Sequence, residues 1–423
     1  MEISQIKKYI FKNVYTGLIK TAFTLVLSVV VIPIIIKNIG IDNYGIVSIV
    51  LVFSSLTGML DLGLSKALIS FQGNQKENKK EISAIYILNF GLFAAMLLFT
   101  LVVFTFKINL MGGKLKVDSS TLRLINTIAI LLLSFGIFNN LLRASLEANF
   151  KLQLVNWGYL IQAAIINIGW LILALTKAPI RYFLLIPVAG TVVTIIYHLI
   201  YLPPIYTWFL KPDKASFKKV FGITFQFFKV GALNSAHLPL IKYVIIIFLG
   251  GGGRTIGIFQ LSTKLAVMAN TLLAYISNPF FSIVAKHKEK SKVYLWGVIQ
   301  KVTKFLIGAT LVGYAVFFIF NKFLIQYFFK EYTTEIFHVL NIVVIGYLFI
   351  ATSESIQKYM LGIGKVNLVA KIKLTGIFLN GLAIIWLLIT GNLNLVNIAL
   401  VYSFSLVSIG LFWLFLSLKS DKQ

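Results

Sequence analysis

The chain has 423 residues, of which 58% are hydrophobic and only 12% are charged. Soluble domains carry about 25% charged residues because their surfaces face water, so this composition excludes an ordinary soluble fold. The net charge of +26 comes mostly from lysines in short gaps between apolar runs, which favours anionic lipid headgroups over nucleic acid as a partner. The absence of cysteine excludes disulfides, thiolate metal sites and thiol nucleophiles.

A membrane-spanning helix needs about 20 largely apolar residues, and twelve segments meet this requirement. The first segment is too long for the apolar region of a signal peptide, so it is predicted to be a span. A turn at 391–394 divides the last uncharged run in two. In chain order, the predicted spans are 14–36, 44–70, 83–106, 122–142, 152–176, 182–202, 220–249, 255–280, 295–320, 335–361, 374–390 and 395–418.

Lysine and arginine are distributed unevenly between the two sides of these spans. Both termini and the loops on their side carry 21 Lys and Arg residues, and the loops on the opposite side carry 9. Positively charged loops stay in the cytoplasm. We therefore predict a multi-pass protein of a bacterial inner membrane with both termini in the cytoplasm.

Short motifs repeat between the two halves of the chain. Lys20 and Pro33 in the first span correspond to Lys229 and Pro239 in the seventh, and the repeated motifs are offset by 206 to 214 residues. Each half has an even number of spans, so both halves enter the membrane from the same side. We predict an all-α polytopic membrane protein of about twelve transmembrane helices, with two six-helix bundles related by a pseudo-two-fold axis along the membrane normal. The predicted bundles are residues 1–208 and 209–423.

No enzyme signature is present in the sequence. The four histidines are scattered, and the glycine run 250–253 lacks the Gly-Lys-Ser/Thr ending of a phosphate-binding loop. The sequence therefore predicts no catalytic residue, metal site or cofactor.

Charge inside the predicted spans is the remaining functional signal. A lone charge at the bilayer centre costs about 2.5–3.5 kcal/mol on insertion scales, so it normally faces a bundle interior or a water-filled cavity. For a lysine near a helix end, the alternative is that its chain reaches back to the interface. The lysine excess predicts a positive cavity with an anionic cargo, phosphate being the leading candidate. The candidate cavity residues are Lys20, Lys229, Lys242 and Lys264.

Two acidic residues lie within the predicted spans and are candidates for charge pairing or for coupling transport. Asp61 is predicted to lie at the depth of Lys20 on a neighbouring helix, where the two are able to pair. Glu354 precedes Lys358 by four residues, a spacing at which helical side chains meet.

Several glycine-containing segments resemble the Wzx-type polysaccharide (O-antigen) flippases of the multidrug/oligosaccharidyl-lipid/polysaccharide exporter superfamily. These segments are 39–45, 61–65 and 243–259, and the resemblance covers essentially the whole chain. It implies two six-helix bundles around a central cavity with cationic residues, a description that Lys20, Lys229 and Lys264 fit.

The same resemblance implies a function in the biosynthesis of lipopolysaccharide or another surface polysaccharide. The expected activity is alternating access that moves an undecaprenyl-diphosphate-linked repeat unit from the cytoplasmic to the outer leaflet. The expected partners are this lipid-linked oligosaccharide, membrane lipids and polysaccharide assembly proteins.

Two alternatives remain open at this point. A drug/cation antiporter of the same superfamily would favour titratable carboxylates in the membrane, and only Asp61 and Glu354 qualify. A non-transporting membrane scaffold would have no reason to keep a charge such as Lys264 in a span.

Topology reporters test the twelve-span arrangement. Fusions at 76–80, 214–219 and 288–292 should report the cytoplasm, and fusions at 112–116 and 391–394 should report the outside, because of the charge asymmetry between loops. A reporter at 288–292 that reads outside would contradict twelve spans.

Overall fold

A computed structural model describes residues 3–72, 78–108, 118–202, 210–249, 252–287, 292–328 and 333–419. Helices run through all twelve segments predicted to be spans, and the described residues contain no β-strand. Nine helices in this part of the chain are long and apolar enough to cross a membrane, or ten if a bent pair is one span. The all-α polytopic fold class is confirmed.

The helices divide between two compact units, Met1–Ile256 and Gly257–Gln423. The first contains α1 (Ile3–Ser55), α2 (Thr57–Leu60), α3 (Leu64–Gln72), α4 (Lys79–Phe106), α5 (Ser119–Ala148), α6 (Leu152–Leu175), α7 (Ile180–Ile200), α8 (Lys214–Val244) and a π-helical turn, Ile245–Leu249. Then follow α9 (Gly252–His287), α10 (Lys292–Phe328), α11 (Thr333–Gly362), α12 (Val366–Ile389) and α13 (Leu395–Lys419).

The first unit extends beyond residue 208 because α8 packs against α2, α3 and α4. Two ion pairs fasten the start of α8 to the start of α4. Lys80 Nζ lies 3.0 Å from Asp213 Oδ2, and Lys219 Nζ lies 3.0 Å from Glu81 Oε1. Division of the sequence into repeated halves at residue 208, and their pseudo-two-fold relation, stay predictions.

Helix α1 contains the first span and the start of the second. Its backbone breaks at Gly40, where φ is 80° and ψ is 158°, a conformation that glycine adopts without a steric penalty. The second span then continues through α2 and α3. Because the first span and the start of the second share α1, the described residues contain fewer long helices than the sequence has predicted spans.

Helix α8 bends by 42° between Lys214–Leu233 and His237–Leu249. Pro239 follows the bend and has no N–H to donate to residue 235, and its ring crowds the carbonyl of that residue. The repeated proline therefore has a structural effect at the position where the sequence predicts the seventh span.

The outer faces of the helices are apolar. Phe106 is 73% exposed, Ile319 71% and Ile389 80%. Monomeric soluble proteins rarely leave large contiguous apolar surfaces in water. Such faces suit contact with lipid chains.

Helices α1 and α6 run in the same direction. Asn156 Nδ2 on α6 donates to Thr16 Oγ1 on α1 at 3.0 Å, and one turn further along both helices the ring of Tyr159 contacts Lys20. The first and fifth spans of an up-and-down bundle must be parallel, so these contacts agree with the predicted order of spans.

A pH titration tests how α8 begins. Asp213 Oδ1 accepts a hydrogen bond from the Ser216 N–H at 2.8 Å, and this bond, together with the ion pair to Lys80, holds the Asp213 pKa below its usual range. The pKa of Asp213 is lower in the folded protein than in the unfolded chain, where it is about 3.9. Ionised Asp213 therefore stabilises the fold above a pH of about 3.9, and this contribution is lost as pH falls through the pKa of the folded protein. We expect Asp213→Ala to lower the melting temperature at pH 7 by a few degrees and Asp213→Asn, which keeps the cap, to lower it less. Melting curves of the detergent-solubilised protein between pH 3 and pH 7 provide the measurement, and an Asp213→Ala curve identical to wild type would contradict it.

Candidate functional site

A cluster of two cations and one aromatic ring lies inside the first unit, where α1, α5 and α6 meet. Lys20 Nζ is 4.0 Å from the centroid of the Tyr159 ring, and Arg143 Cζ is 4.6 Å from the same centroid. An Arg143 Nη1–H also bonds the Tyr159 hydroxyl oxygen. We call Lys20, Arg143 and Tyr159 the cationic cluster. Its two positive charges repel each other, and the electron-rich ring offsets part of that repulsion.

The last turns of α5 hold the Arg143 side chain in place. Nη2 donates to Asn140 Oδ1 at 2.5 Å, and Nε donates to the Asn139 carbonyl oxygen at 3.4 Å. Both partners lie one turn earlier on the same helix, so they share a face with Arg143. The planar guanidinium is thereby oriented before any ligand arrives.

A polar track on α1 leads to the cationic cluster. Asn13, Thr16 and Lys20 follow helical spacing, so they lie on one face of α1, and Asn156 of α6 bonds Thr16. Asn13 is 2% exposed, and its amide oxygen and nitrogen have no hydrogen-bond partner among the described residues. Buried amides are normally satisfied, so this amide is available to a water molecule or to a polar group of a ligand.

Asp61 lies in the turn between α2 and α3 and caps α3. Its carboxylate accepts hydrogen bonds from the Ser65 N–H at 3.1 Å and from the Ser65 hydroxyl at 2.9 Å. The positive charges of Lys66 and Arg143 also act on it. A direct pair between Asp61 and Lys20 stays a prediction. The carboxylate of Asp61 thus lies within the field of two cations, Lys66 and Arg143.

The other predicted cavity lysines lie apart along the chain. Lys229 on α8 is exposed, with Nζ 4.8 Å from the centroid of the Phe225 ring, whereas Lys242 in the last turn of α8 is only 5% exposed. Lys264 is half-buried on α9 in the second unit. The prediction that Lys20, Lys229 and Lys264 face one cavity stays a prediction.

In the second unit, two tyrosine hydroxyls connect a pair of helices, and an acid and a lysine on one helix form an ion pair. The Tyr347 and Tyr402 hydroxyl oxygens lie 2.8 Å apart, which joins α11 to α13. Glu354 Oε1 lies 3.7 Å from Lys358 Nζ, as their spacing predicts. Nowhere in the described ranges do three His, Cys, Asp or Glu side chains gather into a metal site.

Sequence reasoning missed Arg143 and Tyr159. The predicted fourth span ends at residue 142, so Arg143 was assigned to a loop, but α5 continues to Ala148. The adjacent Asn139 and Asn140 in an otherwise apolar span were the available signal for a polar site. For Tyr159 the sequence offers no comparable signal, because the chain has 18 tyrosines and many lie near span ends.

Just after the break at Gly40 in α1, one glycine on each of two stretches of backbone lets the stretches touch. A Cβ atom at Gly45 would lie 1.9 Å from the Gly253 carbonyl oxygen, and one at Gly253 would lie 1.9 Å from the Asp42 carbonyl oxygen. The Arg254 N–H donates to Asp42 Oδ1 at 3.0 Å. We expect this backbone contact to close the end of the first unit that is predicted to face outside.

Comparison with known proteins identifies both a sequence family and a fold. The family model described as polysaccharide biosynthesis protein matches residues 10–284. No curated protein matches the chain. The sequence match confirms the resemblance to the flippase family drawn from the motifs.

Solved structures of transporters share the fold of the whole chain. A crystal structure of a MATE protein in complex with MaL6 has a TM-score of 0.73 at 11% identity and covers 99% of this chain and 98% of its own. A MATE family transporter of the MOP superfamily in an outward-facing conformation has a TM-score of 0.72 at 12% identity, covering 98% and 96%. A MOP superfamily transporter from Pyrococcus furiosus, described as having a binding pocket of reverse polarity, has a TM-score of 0.71 at 13% identity, with coverage of 98% and 96%. At this identity the likeness establishes a shared fold of two helical bundles.

The backbone contact is testable because the natural chain has no cysteine. Ser48→Cys places one thiol at a fully buried position one turn from Gly45. We expect Gly253→Ala to separate the touching backbones and raise labelling of this thiol by an impermeant maleimide severalfold. Gly91→Ala is the matched control, since no atom lies within 4 Å of its added Cβ. Equal labelling in the Gly253→Ala and Gly91→Ala proteins would contradict the closing role.

Proposed function

Because the chain belongs to the polysaccharide biosynthesis protein family, we propose that it is a flippase for a lipid-linked oligosaccharide. Its cargo is an undecaprenyl-diphosphate-linked repeat unit, moved by alternating access from the cytoplasmic to the outer leaflet. The cationic cluster carries this proposal, since a lysine and an arginine share one tyrosine ring inside a bundle with apolar outer faces.

The chemistry of the cationic cluster suits a diphosphate. Arg143 presents a planar fork of N–H donors that matches phosphate oxygens, and Lys20 adds a mobile point charge. A bound anion would also relieve the repulsion between the two cations, which is strong where the dielectric constant is low. The positive balance around Asp61, Lys66 and the cluster adds to the attraction.

The position of the cluster suits a cargo that enters from the cytoplasmic leaflet. Arg143 precedes the end of α5 at Ala148 by five residues, a distance of about 7–8 Å along the helix. This end is predicted to face the cytoplasm, so Arg143 lies a short way inside the membrane from the lipid headgroups. A diphosphate in that leaflet needs only a small displacement to reach it.

Other parts of the cargo have matching surfaces. Sugar hydroxyls bond polar groups such as the unsatisfied Asn13 amide, and the polyprenyl chain stays against the apolar outer faces of the helices. The backbone contact at Gly45 and Gly253 keeps the outer end closed while the cargo loads and opens when it is released. The protein acts in a bacterial inner membrane with both termini cytoplasmic, together with polysaccharide assembly proteins.

A drug/cation antiporter is the second candidate, because the fold is shared with MATE transporters. That activity needs an embedded carboxylate to bind a proton or cation. Asp61 caps α3 through Ser65, and Glu354 pairs with Lys358, so both acids have structural contacts. The positive surroundings of Asp61 also disfavour a cationic drug. These contacts favour the flippase.

Charge removal tests the flippase in a flippase-null strain complemented with this chain. We expect Lys20→Ala and Arg143→Ala each to reduce surface glycan at least about tenfold, because a hydrogen bond to a charged group is worth about 1.5–3 kcal/mol. Arg143→Lys should retain more activity than Arg143→Gln, because the charge itself attracts the diphosphate. Losses of activity are also expected for alanine at Lys229, Lys242 and Lys264.

Arg181→Ala is the matched control, since this arginine also lies over a tyrosine ring, 5.1 Å from the Tyr182 centroid, but outside the cluster. Protein levels are measured alongside surface glycan. Normal glycan in the Lys20→Ala, Arg143→Ala and double variants would overturn the flippase proposal. Drug resistance conferred on an exporter-deficient strain and lost in Asp61→Asn would favour the antiporter.

A further inference from the structure

His198 on α7 is a buried histidine outside the cationic cluster. Its exposure is 0%, and Nδ1 lies 2.7 Å from Asn139 Oδ1 on α5. Because a carbonyl oxygen only accepts hydrogen bonds, Nδ1 carries the proton and donates it in this bond. The other ring nitrogen, Nε2, is buried without a partner among the described residues, as suits the unprotonated nitrogen of the neutral ring.

The same ring packs against the helix that carries Tyr159. A Cβ atom at Gly158 would lie 2.3 Å from His198 Nε2, so only glycine leaves room for the imidazole there. Tyr159 is the next residue of α6. The position of the His198 ring therefore determines how closely α6 approaches α7 at the base of the tyrosine.

His198 thus contacts both α5 and α6, the helices that supply Arg143 and Tyr159 to the cationic cluster. Its hydrogen bond holds the side-chain oxygen Oδ1 of Asn139, and the main-chain carbonyl oxygen of the same residue, one turn before Arg143, accepts from Arg143 Nε at 3.4 Å. Its packing holds Gly158 beside Tyr159. The rigid His198 ring therefore connects α5 to α6. The relative position of these two helices decides whether the Arg143 guanidinium reaches Tyr159.

We infer that His198 is a positioning residue for anion binding, which acts through Asn139 and Gly158 to hold Arg143 against the Tyr159 ring. This inference rests on the proposed function, because it assigns His198 a role at the proposed diphosphate site. His198 does not contact the anion itself. Its contribution is to keep the guanidinium oriented before the anion binds.

Two substitutions at His198 separate this role from simple filling of space. His198→Asn places an amide N–H near the position of Nδ1 and keeps a donor to Asn139, whereas His198→Gln places its amide near Nε2 and removes that donor. The probe is geranylgeranyl diphosphate, titrated calorimetrically into the full chain in lipid nanodiscs. We expect His198→Gln to weaken binding about five- to tenfold and His198→Asn to stay within about twofold of wild type, the difference being one hydrogen bond.

A double-mutant cycle then asks whether His198 acts through Arg143. Residues that act through one another have non-additive effects. We expect His198→Gln to weaken binding by less than about twofold in an Arg143→Gln background. Asn139→Leu removes the same hydrogen bond from the other side and should show the same loss and the same non-additivity. It replaces His198→Gln in the cycle if His198→Gln does not fold. Thr194→Val is the matched control on α7, since among the described residues the Thr194 hydroxyl bonds only within its own helix, to the Gly190 carbonyl oxygen.

The outcomes distinguish the inference from the proposed function. Wild-type affinity in Arg143→Gln would remove the proposed diphosphate site itself. Weak binding in Arg143→Gln with wild-type affinity in His198→Gln and Asn139→Leu would overturn the inference alone. Equal losses in His198→Asn and His198→Gln, or losses that multiply with Arg143→Gln, would show that His198 only stabilises the fold.

Discussion

The cost of placing positive charge among helices with apolar outer faces is the constraint on which this structure depends. A lone lysine or arginine in that setting is unfavourable by several kcal/mol, so it must face an interior with compensating groups. In the first unit the compensation comes from one tyrosine ring shared by Lys20 and Arg143, and from asparagine oxygens on α5. The helices of this unit are arranged so that these groups meet.

Close backbone packing makes that arrangement possible. Lipid chains are as apolar as leucine, so membrane helices associate through tight contacts at small residues and through polar bonds rather than through hydrophobic burial. Gly158 admits the His198 ring between α6 and α7, and Gly45 and Gly253 bring backbones together just after the Gly40 break in α1. The first contact lies beside the cationic cluster, and the second lies at the end of the first span that is predicted to face outside. The proposed binding site and the proposed outer closure thus both depend on close packing at glycines.

The proposed function follows from the charge that remains on the cationic cluster, because the tyrosine ring and the asparagine oxygens offset only part of its positive charge. Arg143 acts on Asp61, and the Asp61 carboxylate also caps α3 through Ser65. The cluster is therefore left with positive charge, which the proposed anionic cargo would offset. A diphosphate has the required charge and oxygen acceptors, and the lipid and sugar parts of the proposed cargo match the apolar faces and polar track around it. Carboxylates of a cation antiporter would need to be available for ligands, whereas both embedded acids have structural contacts.

The sequence by itself determined the fold class and the positions of the helices, because apolar length is a local property of a segment. It also located the pair Glu354 and Lys358, which depends only on helical spacing. Tertiary structure alone decided that Arg143 joins Lys20, that Tyr159 lies between them and that α8 packs with the first unit. These contacts link residues far apart in the chain, and they depend on the rotation and depth of each helix. Apolar composition does not specify either quantity, since many rotations of an apolar helix bury similar area.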